Sequence, residues 1–168
     1  EVEITDEKNK SQIVNAENII IATGGRSKEL PNVKIDGKKV LGYRKAMSLD
    51  KQPKKMVVVG SGAIGSEFAY FYNSIGTEVT LIEYLSNVLP LEDVDVSKQL
   101  QKSFSKSGIN ILTNTEVTGV DTFGKGCKVY YKSNNKDNFL ECDIVLSAVG
   151  VETNIQNIGL KNVEIISE

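Results

Sequence analysis

Met56-Val57-Val58-Val59-Gly60-Ser61-Gly62-Ala63-Ile64-Gly65 is the stretch on which the fold turns. Four consecutive apolar residues stopped by a glycine have the pattern of a strand buried on both faces. Beyond them Ile64, Phe68, Phe71, Tyr72 and Ile75 recur at helical spacing, which predicts a helix over 63–74. Gly76 stands where a helix end takes glycine. A lone G-x-G-x-x-G is a weak signal, but this one sits between a strand and a helix. In that setting Gly60 permits the tight turn, Gly62 lets a pyrophosphate approach the backbone, and Gly65 lets the helix pack on the strand. The unpaired N–H groups and partial positive charge of the helix N-terminus favour phosphate there. The bland alternative is a strand–turn–helix whose glycines serve packing alone.

Glu78 to Glu83 reads as a second strand, and Glu83 lies 23 positions beyond Gly60. A carboxylate there accepts hydrogen bonds from the adenosine ribose hydroxyls of a dinucleotide. It also repels a 2′-phosphate, by roughly 4 kcal/mol at 4 Å and an effective dielectric near 20. Even a third of that is about tenfold discrimination. No Arg stands nearby, so NAD rather than NADP is the expected cofactor. The competing reading of Glu83 is a solvated charge at a strand end.

Further along, Asp93 or Asp95 can cap a helix carrying Val96, Leu100 and Phe104 and ended by Gly108. Strands are expected at 109–112 and 116–121. A hairpin follows over 127–132 and 139–142 around Asn134-Asn135, then a buried strand Asp143 to Gly150. Cys127 and Cys142 lie equidistant from that turn and face each other across it. Two small buried thiols are the expectation, with a redox disulfide as the alternative. Phe68, Phe71 and Tyr72 are read as core, and Lys38-Lys39 and Lys54-Lys55 as solvated charges. Upstream, 2–5 and 12–15 read as a hairpin, Asn18 to Gly25 as a buried strand ending in glycines, and 26–55 as connection with a short helix near 44–49. A shift of 126 positions lays Ile4 on Tyr130, Val14 on Leu140, Ile20 on Leu146 and Gly24 on Gly150. Two related units, each a hairpin followed by a buried strand, are therefore expected within an α/β fold.

The chain has 168 residues with 20 Lys+Arg against 22 Asp+Glu, and no histidine. Histidine-dependent hydrolysis and HExxH zinc chemistry are excluded within it. A net charge of −2 gives no electrostatic reason to expect nucleic acid or an anionic membrane. No apolar run reaches the ~18 residues of a membrane helix and no targeting segment is visible. A cytoplasmic or organellar-matrix (mitochondrial or plastid) setting is the expectation. The chain begins without Met at Glu1 and ends within the strand-like Val163 to Glu168, so we expect a piece of a longer protein.

With these residues in place the chain resembles the pyridine-nucleotide-disulfide oxidoreductases, and within them the dihydrolipoamide dehydrogenase group. The carriers are Ile19-Ile20-Ile21-Ala22-Thr23-Gly24, Val57 through Glu67, and Glu78-Val79-Thr80-Leu81-Ile82-Glu83. Weaker ones are Leu89-Pro90, Asn114 through Gly119, and Ser147-Ala148-Val149-Gly150. The resemblance implies a Rossmann-like FAD/NAD(P)-binding fold, a parallel sheet with helices plus a β-meander crossover. It implies a flanking FAD-domain segment at 1–49, an NAD-binding domain at 50–147 and the start of a return to the FAD domain at 148–168. Gly60, Gly62, Ala63, Ile64 and Gly65 would line the NAD pyrophosphate, Glu83 the ribose, Val117 the adenine and Gly150 the nicotinamide end. Thr23, Gly24 and Gly25 would belong to the FAD side. Glu67, which by itself reads as compensating a helix dipole, matches a glutamate that pairs with a flavin-side lysine.

The resemblance also implies a parent activity, oxidation of a dihydrolipoyl dithiol through a redox disulfide and FAD to NAD. Its partners would be a 2-oxo acid dehydrogenase or glycine cleavage complex, and its parent a homodimer. The redox cysteine pair, the first FAD fingerprint, the later Gly-Asp motif and the interface domain with its His-Glu pair have no counterpart here. Leu41-Gly42-Tyr43-Arg44-Lys45-Ala46 departs from the Ser/Thr-Asp-Ala pattern. The expectation is therefore NAD binding without turnover and no catalytic residue in this chain. Two rivals remain. One is another flavoprotein reductase of the superfamily, of the mercuric or peroxide/disulfide reductase type; the other is a non-catalytic dinucleotide sensor.

Overall fold

In the computed structural model, which describes residues 1–163, the chain opens as a hairpin. Strand β1 (Val2–Thr5) pairs antiparallel with β2 (Ser11–Val14), and the Asp6 carboxylate closes the turn by accepting from the Lys8 and Lys10 amides. This hairpin, with residues through Gly24 and the described residues from Thr153 on, makes one compact unit. The expected strand at 18–25 does not form: Ile19, Ile20 and Ile21 lie outside any ladder and Ile20 is 91% exposed. An apolar run becomes a buried strand only beside partner strands, and none of the described residues supplies one. Of the strand-like reading of Val163 to Glu168, only Val163 lies among the described residues, and it closes a 3-10 turn over Leu160–Val163.

The other unit, Gly25–Glu152, holds the fingerprint. It contains β3 (Gly25–Ser27), β4 (Val40–Leu41), α1 (Tyr43–Ala46), β5 (Lys55–Val59), α2 (Ala63–Ser74), β6 (Glu78–Ile82) and α3 (Val94–Lys106). Then come β7 (Asn110–Leu112), β8 (Thr115–Phe123), β9 (Gly126–Ser133), β10 (Lys136–Cys142) and β11 (Ile144–Ser147), and last β12 (Val151–Thr153), which pairs with β3 and whose Thr153 is counted with the other unit. The central sheet is five-stranded and parallel in the order β4-β11-β5-β6-β7. Strands β8 to β10 form an antiparallel meander.

Strand periodicity sorts the core into two. Met56 and Val58 of β5, Val79 and Leu81 of β6, and Leu146 of β11 pack with Ala69 and Tyr72 of α2 and Phe104 of α3. The alternate residues Val57, Val59, Ile82 and Val145 pack with Cys127, Val129 and Cys142 of the meander. Continuous apolar strands are what a sheet covered on both faces requires. The fold class is thus as the sequence implied, a Rossmann-like α/β sheet with helices on one face and a β-meander on the other.

Three details depart from expectation. The buried stripe of α2 is Gly65, Ser66, Ala69 and Tyr72, small residues that bring the helix close to the sheet, and Phe71 is 54% exposed. In α3 the inward residues are Ser97 and Phe104, while Val96 is exposed, because the Ser97 hydroxyl turns in to donate to Leu89 O. Lys39 and Lys55 are not free charges: Lys39 Nζ donates to Lys125 O at 2.7 Å, and Lys55 pairs with Glu78 at 3.2 Å.

Helix α3 begins as read, with the Asp93 carboxylate accepting from Asp95 N at 2.8 Å. Asp93→Ala should therefore cost about 1 kcal/mol, a fall in Tm of roughly 2–4 °C in thermal denaturation. An unchanged Tm would show the cap to be idle.

Candidate functional site

Strands β5 and β6 end side by side, and the residues that follow them build the site. Gly60 takes φ +95°, a left-handed conformation, and a Cβ added there would stand 2.6 Å from Ala148 O. At Gly65 an added Cβ would overlap the Gly60 carbonyl. Both glycines are required by the close crossing of the turn, α2 and the end of β11. Gly62 differs: its backbone is ordinary (φ −62°, ψ −176°) and an added Cβ would meet nothing within 4 Å. Its lack of a side chain opens space instead of permitting a contact.

Gly62 is also the N-cap of α2, which has no side-chain cap and no acidic residue in its first turn. The N–H groups at the start of a helix have no intrahelical partner, so Ala63, Ile64 and Gly65 stand at an uncapped positive end. Such an end favours an anion. Helix α3, capped by its own Asp93, shows the contrast within one chain.

Glu83 follows β6 and is only 7% exposed. Its Oε2 accepts from Ser61 N at 2.8 Å and from Ser61 Oγ at 2.7 Å, while Oε1 accepts from Leu85 N at 2.9 Å. The carboxylate is thus built into the glycine turn and is not the solvated strand-end charge of the bland alternative. Of the roughly four lone-pair positions on a carboxylate, three are occupied. One, on Oε1, can accept a further donor with no protein bond surrendered. Ser61 is fully buried, and its carbonyl accepts from Ser66 Oγ and Leu89 N. Sequence reasoning passed over Ser61 because it fills a variable position of the fingerprint; its hydroxyl was the only signal available.

Gly60, Glu83 and Val117 line one cleft of about 490 Å³, together with Leu30, Tyr84, Glu116 and Val149. No Lys or Arg is among its lining residues. The cleft opens at the carboxyl ends of parallel strands, where the chain runs from β5 to β6 on one side and β11 lies on the other. That is a topological switch point, the usual ligand position in open α/β sheets. Gly150 is exposed with φ +126°, its carbonyl accepting from Lys28 N. Glu67 is exposed on α2. Gly25 is half-buried against Val151 of the same unit, whereas Thr23 and Gly24 are exposed residues of the other unit. Among the described residues no group of three His, Cys, Asp or Glu could hold a metal, and no helix is long and apolar enough to cross a membrane.

The sequence profile described as Pyridine nucleotide-disulphide oxidoreductase matches residues 1–167. The chain belongs to that family. Its relatives include dihydrolipoyl dehydrogenases of Rhizobium etli, 40% identical over 147 residues, and of Zymomonas mobilis, 40% identical over 163 residues. These alignments cover 87% and 95% of this chain but 31% and 34% of the relatives, so the chain spans about a third of their length. The crystal structure of LpdA from Mycobacterium tuberculosis superposes with a TM-score of 0.87 at 30% identity, covering 98% of this chain and 35% of that one. The flavoprotein disulfide reductase RclA from Escherichia coli, at 24% identity and a TM-score of 0.82, shares the fold over 99% of this chain and 37% of its own.

Proposed function

We propose that this chain is the NAD-binding region of a dihydrolipoyl dehydrogenase-type flavoenzyme and binds NAD without turning over on its own. The observation that carries the reading is the uncapped start of α2 at Gly62, with open space where a Cβ would be. The residues fit the cofactor. The amides following Gly62 would take the pyrophosphate, the free position on Glu83 a ribose hydroxyl, and Val117 the adenine, with Gly150 toward the nicotinamide. Bound NAD supplies a hydride acceptor; the work of this chain is to bind and orient it and to keep a 2′-phosphate out. Residues 1–49 and those from 148 on would flank it as parts of an FAD domain; Thr23, Gly24 and Gly25 would border the flavin, and Glu67 would meet a flavin-side lysine. The parent would be a homodimer acting on dihydrolipoyl groups of a 2-oxo acid dehydrogenase or glycine cleavage complex. The names of the relatives support this choice over mercuric or peroxide reductases and over a non-catalytic sensor.

Calorimetric titration with NAD(H) and NADP(H) tests the reading. NAD is expected to bind at least about tenfold more tightly than NADP. Equal affinities, or lipoamide-dependent NADH production by the pure chain, would overturn it.

A further inference from the structure

The end of the sheet away from the nucleotide cleft carries two groups that dinucleotide binding does not use. Cys127 and Cys142 are direct partners in the β9–β10 ladder, both free and both buried. Their hairpin is closed by Asn134 and Asn135, each with positive φ (51° and 60°), which sets the register. Both side chains point toward the parallel sheet, packing with Val57 and Val145. Residues directly opposite in an antiparallel pair have Cα atoms about 4.5–5.5 Å apart, inside the range of about 4.4–6.8 Å that a disulfide spans.

A second observation concerns access. Cys142 lines an open cleft of about 410 Å³ with Met56, Glu78, Tyr131 and Glu141. Cys142 itself is 6% exposed, so this cleft borders the buried pair. Cys127 lies behind it, fully buried, near the carbonyls of Lys39 and Asp143. The thiols are also electrically unequal. Donation from Cys142, with the Lys39 charge assisting, holds the Cys127 thiol below its ordinary value, while the same hydrogen bond and burial push Cys142 up.

We propose that Cys127 and Cys142 form a reversible redox site, oxidised by a hydroperoxide entering the Cys142 cleft to a disulfide that staples the open end of the hairpin. With hydrogen peroxide as oxidant, the O–O bond breaks and the S–S bond forms. The two sulfurs are oxidised, the two oxygens are reduced, and the two thiol protons leave in two molecules of water. The site stands on the meander and does not depend on the nucleotide reading.

The test treats the native, reduced chain with hydrogen peroxide and follows intact mass, peptide mapping and thermal denaturation. The expected product loses two hydrogens, maps to a Cys127–Cys142 cross-link, melts roughly 5 °C higher and reverts with dithiothreitol. Cys142→Ser should show neither the cross-link nor the shift. Gain of oxygen atoms on either cysteine, disulfide-linked dimers, or unreacted thiols where a urea-unfolded control oxidises would each overturn the proposal.

Discussion

Gly65→Ala should lower the Tm of the chain by roughly 10 °C or prevent folding, whereas Gly62→Ala should fold normally and lose NAD. At Gly65 the obstacle is the Gly60 carbonyl, which is backbone and cannot rotate away. Over-packing of this kind costs about 3 kcal/mol or more, and each kcal/mol moves the Tm of a chain this size by about 2–4 °C. At Gly62 the methyl group meets nothing, and the backbone is one any residue adopts. Stability should stay within about 0.5 kcal/mol. NAD affinity should nonetheless fall at least tenfold, because the methyl fills the approach of the pyrophosphate to the amides. Thermal denaturation and titration on the same two variants separate the roles. A Gly62→Ala chain that binds NAD normally would remove the pyrophosphate from this turn.

The second large effect belongs to Glu83. Removing its side chain, as in Glu83→Ala, strands three donors at once: Ser61 N, Ser61 Oγ and Leu85 N. A buried unsatisfied donor costs about 1–3 kcal/mol, so a loss of several kcal/mol is expected in denaturant unfolding. Glu83→Arg would do the same and force a cation into the turn, so it conflates folding with specificity. Glu83→Gln keeps the shape and removes the charge. It should retain the fold at lower stability and lose about tenfold of its discrimination against NADP. Should Glu83→Gln keep the full preference, the charge would not be what excludes the 2′-phosphate. Stability unchanged in Glu83→Ala would mean that the Ser61 contacts contribute nothing.

Much of this was legible because local pattern and global fold agree. Four apolar residues from Met56 to Val59 need cover on both faces, and the chain supplies α2 on one and the meander on the other. Asn134-Asn135 named the hairpin turn, and from it the Cys127–Cys142 pairing followed by counting. Ile19 to Ile21 misled for the opposite reason. Their pattern records a buried strand, but burial comes from neighbours, and the described residues provide none. In the helices the apolar residues were recognised but the roll was not. Side chains as small as Ser66, Ser97 and Ala69 face the sheet because close approach there matters more than hydrophobicity. The anchoring of Glu83 was illegible in principle, since it joins positions 22 apart through a hydroxyl that the motif leaves unspecified.

The two long helices, α2 and α3, also bear on how this domain could be hardened. Anyone engineering for heat tolerance would look for a bare helix start and install Asp or Ser there, as α3 already has. Of the two long helices the bare start is that of α2, and position 62 is where the capping side chain would go. That carboxylate or hydroxyl would occupy the N–H groups the proposed phosphate needs, acting as a built-in competitive inhibitor. About 1 kcal/mol of available stability therefore lies out of reach at this one position unless binding is sacrificed. Improvement has to come from elsewhere in the domain.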